Sequence, residues 1–213
     1  MGRYTTPMNQ ENPSTKRKLL EVAEELFAVK GVEATLIGDI VKGAGQRNPS
    51  ALRYHFGSRE GILQAIREKH LEHLELRRAT LLEQWPGQAP ATVRDAVTLV
   101  VVPLIEQLRN ESGRRYLRIL GQTMFELNSD QLTSVVQYPS LAKALDLMRV
   151  GMAHVPDNLV EDRIKGALLL ISATLATRAR DTGNRRRASN SLSDFKENVI
   201  VMAAAVLIAP IEL

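Results

Sequence analysis

Cysteine is absent from the 213 residues. That excludes disulfides, thiolate nucleophiles, iron–sulfur ligation and every cysteine-built zinc site at once. Aromatic residues make up only 4% of the chain, and sustained alternation of Val, Ile, Thr and Tyr, the pattern of half-buried strands, is missing. No apolar run is long enough to cross a bilayer: the longest, Val199 to Ile211, falls short of the ~20 residues a spanning helix needs and is broken by Pro210. The opening stretch MGRYTTPMNQ has no apolar core of the kind a secretory signal carries, so the expected address is the cytoplasm, with no membrane partner. A GxxxxGK phosphate loop is also missing, and no Ser, His and acid combination stands out. The chain is therefore expected not to be an enzyme, with no catalytic residues, cofactor or metal.

What is present is helix. Apolar residues at 44% and charged residues at 24% suit a folded domain, and the punctuation is that of helix starts and stops. Asn12-Pro13-Ser14 opens a first helix, whose Leu19, Val22, Ala23, Leu26 and Phe27 share one face and which Gly31 closes. Thr35 is read as the cap of a short second helix carrying Ile37, Ile40 and Val41 inward and stopping near Gly43-Ala44-Gly45. Asn48-Pro49 opens a third, with Leu52 and Phe56 inside, ended by Gly57. Ser58 caps a long fourth helix that runs to the breaker Trp85-Pro86-Gly87. Beyond it the periodicity predicts helices over 92–108, 114–127, 139–152, 158–179 and 194–208, with Pro103 kinking or splitting the first of these. The fold class is all-α: a flexible tail (1–11), a three-helix unit (12–60) and a larger all-helical body (61–213).

The second and third helices, joined by a tight glycine-containing turn, make a helix-turn-helix candidate. Gln46, Arg47, Asn48, Ser50, Arg53, Tyr54 and His55 can hydrogen-bond bases or phosphates, and no acidic residue lies between Val41 and Arg59. A formal net charge of +4 permits a polyanionic partner. The competing reading is an all-helical enzyme or small-molecule-binding protein with an incidental helix-turn-helix.

From Ser14 to Ile66 the chain resembles the DNA-binding domain of the tetracycline-repressor (TetR) family of bacterial transcription regulators: LFAVKGVEAT, GDIVKGAG and LRYHFGSRE stand in that family's order and nearly its spacing. The departure is one additional residue between Ala44-Gly45 and Tyr54-His55-Phe56, which hands the cap to Asn48 and the first helical position to Pro49. The resemblance implies a third helix that reads the major groove of a palindromic double-stranded DNA operator. It implies base or phosphate contacts at Arg53, Tyr54 and His55, a phosphate contact at Arg59, and further ones at Lys16 and Thr35. It also implies a homodimer whose helical body binds a small-molecule effector that, in a repressor, releases the DNA.

Within the body, Trp85, Tyr116, Met124, Phe125, Tyr138, Met148 and Met152 are of types that suit an adaptable apolar pocket. The last helix is apolar all round, with Val199, Met202, Ala203 and Val206 on one face and Ile200, Val201, Ala204, Leu207 and Ile208 opposite. One face is therefore expected inside the subunit and the other on a partner, with the preceding helix joining the interface through residues such as Ile164, Leu168 and Leu175. His70 and His73, beside Glu68, Glu72 and Glu75, read as a solvated face rather than a metal site. Arg185-Arg186-Arg187, near Arg178 and Arg180, read as a solvated basic loop.

Overall fold

The computed structural model describes residues 13–48, 50–86, 90–126, 137–183 and 190–210. The expected tail 1–11, the expected cap Asn12, Pro49 and the expected basic loop at Arg185, Arg186 and Arg187 lie outside them. Every regular element among the described residues is a helix: α1 (Pro13–Lys30), α2 (Ile37–Gly43), α3 (Ser50–Phe56), α4 (Arg59–Glu83), α5 (Val93–Glu106), α6 (Glu111–Thr123), α7 (Pro139–Gly151), α8 (Asp157–Gly183) and α9 (Leu192–Ile208). Short 3-10 turns follow α5 and α6.

The ends of these helices follow local chemistry. Gly31 adopts φ +100° as α1 closes, and its N–H donates to the Phe27 carbonyl at 3.1 Å. Asn48 Oδ1 accepts the Ser50 N–H at 2.9 Å, so the displaced cap opens α3. Ser58 Oγ accepts from the Gly61 N–H at 3.2 Å. Thr92 and Asp95 form a reciprocal capping box at the start of α5. Asn110 accepts the Gly113 N–H at 2.7 Å, which starts α6 three residues before the expected Arg114.

Two expectations need correction. Thr35 does not cap α2: its hydroxyl donates back to the Gly31 carbonyl at 2.7 Å, and the helix opens after Leu36 with no side-chain cap. Ile37, expected inside, is exposed. Of the two outcomes expected at Pro103, a kink or a split, the split does not occur: α5 is one helix from Val93 to Glu106. A proline here leaves the Leu99 carbonyl, four residues earlier, without its helical N–H partner. The buried Arg78 of α4 supplies a replacement, its Nε donating to Leu99 O at 3.0 Å.

The body packs around α5, whose Ala96, Val97, Leu99, Val101 and Ile105 are buried against α4, α7 and α9. Helices α6 and α8 form the other main pair, and they cross closely at Gly121: a Cβ placed there would meet the Ala176 Cβ at 2.4 Å. Helix α1 packs on α4 and also on α6, so the amino-terminal unit meets the body along two helices rather than through α4 alone.

Candidate DNA-binding face and effector cavity

Leu52 is the buried anchor of α3, 1% exposed, and its burial turns the remaining side chains outward. Ser50, Arg53 and Tyr54 are exposed, Tyr54 to 64%. Arg47 and Asn48 before them are exposed too, Gln46 is half-buried with its amide 3.5 Å from the Ala44 carbonyl, and His55 is half-buried with its ring edge-on to Tyr54. Lys16 of α1 reaches the same end of the molecule, its ammonium 6.0 Å from the centre of the Phe56 ring. These residues are thus gathered around one exposed helix.

Two others are not free in the same way. Thr35 is fully buried, with its hydroxyl spent on Gly31. The Arg59 guanidinium is folded against Glu33, Nη1 lying 3.2 Å from both its carbonyl and its carboxylate, while Nε is buried without a partner. Arg59 therefore ties the start of α4 to the α1–α2 connection.

The body holds a half-open cavity of about 210 Å³ between α4, α5, α6, α7 and α8. Tyr116, Met124 and Tyr138 line it, whereas Met148 and Met152 are fully buried core, Trp85 is half-buried elsewhere, and Phe125 lines a separate cleft between the amino-terminal unit and the body. Aromatic and methionine content alone did not separate pocket from core. The informative signal was the three-and-four spacing of Gln64, Arg67, Leu71, Leu74 and Arg78, which puts one face of α4 along the cavity with polar groups among the leucines. Gln64, Arg67 and Thr123 also border the cleft, so they stand where the two spaces approach each other.

Two polar clusters brace this region. Arg78 donates to Leu99 O and pairs with Glu75 at 2.9 Å, and the Glu75 carboxylate in turn accepts the first N–H groups of α7, from Ser140 and Leu141. The second joins the amino-terminal unit to the body. Glu24 of α1, 2% exposed, is held by Lys69 at 2.9 Å, by His70 at 3.2 Å and by the Ser112 hydroxyl. Burial pushes the Glu24 pKa up, but the hydrogen bonds from His70, Lys69 and Ser112 and the charge of Lys69 outweigh it and lower the value to about 2. The two histidines therefore part company: His73 is exposed, but His70 is buried and stacks on the Tyr116 ring at 4.2 Å, so it does not belong to a solvated face. Burial raises the Tyr116 pKa to about 12, which keeps its hydroxyl protonated.

A three-helix head presenting one polar helix on an all-helical body is a helix-turn-helix architecture. Residues 19–66 match the family model described as bacterial regulatory proteins, tetR family. The HTH-type transcriptional regulator AcrR of Shigella flexneri is 29% identical over 111 residues, and the match spans 51% of this chain and about half (48%) of that relative. Among solved structures, a bacterial regulatory protein in the tetR family from Rhodococcus RHA1 superposes with a TM-score of 0.55 at 16% identity, over 92% of this chain and 98% of that one. Mycobacterium smegmatis AmtR gives 0.54 at 18% identity, over 92% and 89%. At such identities the structures establish the fold, and the family match covers the head alone: residues 19–66 are similar to the DNA-binding domain of the tetR family.

Proposed function

We propose that the protein is a homodimeric, ligand-responsive transcription repressor of the cytoplasm. Residues 12–60 hold a palindromic double-stranded operator, and residues 61–213 dimerise and bind the small molecule that releases it. The observation that carries this reading is the exposed row Arg47, Asn48, Ser50, Arg53 and Tyr54 on and before α3, in a stretch free of carboxylates from Val41 to Arg59. The cavity beside α4 supports the effector role, because the same helix begins at the edge of the DNA-binding unit. A ligand can shift the DNA-competent population only by its differential affinity for two states, and a cavity wall that continues into the head offers a place for that difference to arise. For the dimer, the support is an apolar stripe on α9: Val201 and Ile208 remain about half exposed, with exposed Ala205 between them. The subunit takes Val199, Ile200, Ala203 and Leu207 into its own core, so the dividing line differs from the one expected from periodicity.

The test is an electrophoretic shift of DNA from upstream of the protein's own gene, with excess non-specific competitor. Retention of a specific complex supports the reading. Equal loss of complex to scrambled and upstream competitor counts against it.

A further inference from the structure

The cavity has more chemistry than an apolar ligand requires. Among the described residues its lining includes two arginines, Arg67 and Arg78, and no carboxylate. Arg78 is accounted for, paired with Glu75 and bonded to Leu99 O. Arg67 is half-buried and has no hydrogen-bond or ion-pair partner among the described residues, and the nearest acid on its own helix, Glu68, accepts from Gln64 at 2.9 Å. The Tyr116 hydroxyl is in a similar position. Its side chain is 2% exposed, yet among the described residues its oxygen has no hydrogen-bond partner, while its ring is fixed from behind by His70. Both arginines act on it electrostatically. A phenol on a pocket wall with no protein acceptor for its proton is free to donate to a ligand, and a half-buried, unpaired guanidinium on the same pocket is matched by an anion.

We infer that the cavity takes a small amphipathic anion, an apolar carboxylate whose head accepts hydrogen bonds from Arg67 and the Tyr116 hydroxyl while its hydrocarbon lies against Leu71, Leu74, Leu104 and Leu145. The inference rests on the reading of this cavity as the effector site and names the chemistry of its occupant. Size agrees: a cavity of about 150 Å³ accommodates benzene, so one of about 210 Å³ suits a short fatty or aryl acid. A neutral hydrocarbon would leave Arg67 and Tyr116 without a ligand partner, and a cation would be repelled by the unpaired Arg67.

The experiment is calorimetric titration of the full-length protein with octanoate, octan-1-ol and octylammonium, which share a chain length and differ in the charge of the head. Octanoate is expected to bind at least about tenfold more tightly than octan-1-ol, the gain typical of a charge-assisted hydrogen bond. Arg67→Gln should remove most of that preference without weakening octan-1-ol. Tyr116→Phe, which keeps the ring against His70, should reduce it several-fold. Binding of octan-1-ol or octylammonium as tight as that of octanoate overturns the inference, as does an undiminished preference in both variants or binding by none of the three. Parallel titration of the operator complex separates this claim from its premise. Octanoate that binds through Arg67 yet leaves operator affinity unchanged overturns the effector reading alone. Release of DNA by octan-1-ol or octylammonium but not octanoate overturns the anion and leaves the effector reading standing.

Discussion

Arg53 and Arg59 flank the same turn but keep different company. Arg53 leaves α3 beside the buried Leu52 and is exposed, so Arg53→Ala is expected to cost roughly 1–3 kcal/mol on the operator and to relax preference at one base pair per half-site, checked by fluorescence anisotropy on operator and scrambled DNA. Equal loss on both sequences would assign Arg53 to phosphate. Arg59, by contrast, is held by Glu33, whose carboxylate competes with phosphate for it. Glu33→Ala should therefore raise affinity for operator and scrambled DNA alike across a salt series, and an unchanged affinity would show that Arg59 does not reach the backbone. Glu24 gives a prediction in acid. Its folded pKa of about 2 lies below the ordinary 4.5, so its contribution to stability is complete above pH 4.5 and is lost as the pH falls toward 2, about 3 kcal/mol in all. Urea unfolding of Glu24→Gln should show lower stability at neutral pH and a correspondingly shallower decline between pH 5 and 2.

Helix α5 survives its proline because α4 supplies the missing donor, and this couples two positions distant in sequence. Arg78→Met leaves the Leu99 carbonyl without its donor and the Glu75 carboxylate without its counter-charge in a buried wall, and is expected to cost about 3 kcal/mol or more by denaturant unfolding. Adding Pro103→Ala restores an N–H within reach of Leu99 O, so the double variant should lose less than the sum of the single ones. Helix positions were largely legible from sequence because Gly, Pro, Ser, Thr and Asn act locally: Gly31, Asn48, Gly57 and Ser58 all stand at the boundaries their chemistry demands. Thr35 misled because a threonine hydroxyl can bond backward as readily as forward, and here it bonds back to Gly31. The cavity was only partly legible, through Tyr116, Met124 and Tyr138. Met148 and Met152 have the same composition signal but are core, and Arg67 gives no signal of its own because an arginine in a helix otherwise suggests solvent. His70 was unreadable for a related reason: Glu24 and Tyr116, which define its surroundings, lie on other helices.

For the whole molecule, the half-exposed Val201 and Ile208, two turns apart with exposed Ala205 between them, form a stripe on a helix whose opposite side is already committed to the subunit core. Val201→Glu with Ile208→Glu is expected to give a monomeric mass by light scattering with unchanged helicity. It should also lose much of the operator affinity, since a two-half-site operator is held by a two-fold dimer. A dimer that persists in that variant would move the interface elsewhere. The molecule also contains a single tryptophan, Trp85, half-buried just past the end of α4, the helix whose other end begins beside α3. Its intrinsic fluorescence is therefore an unlabelled optical probe at the far end of that helix. Emission wavelength and iodide quenching, followed as octanoate or operator is added, would register movement there in the native chain, without a dye, a tag or an added chromophore.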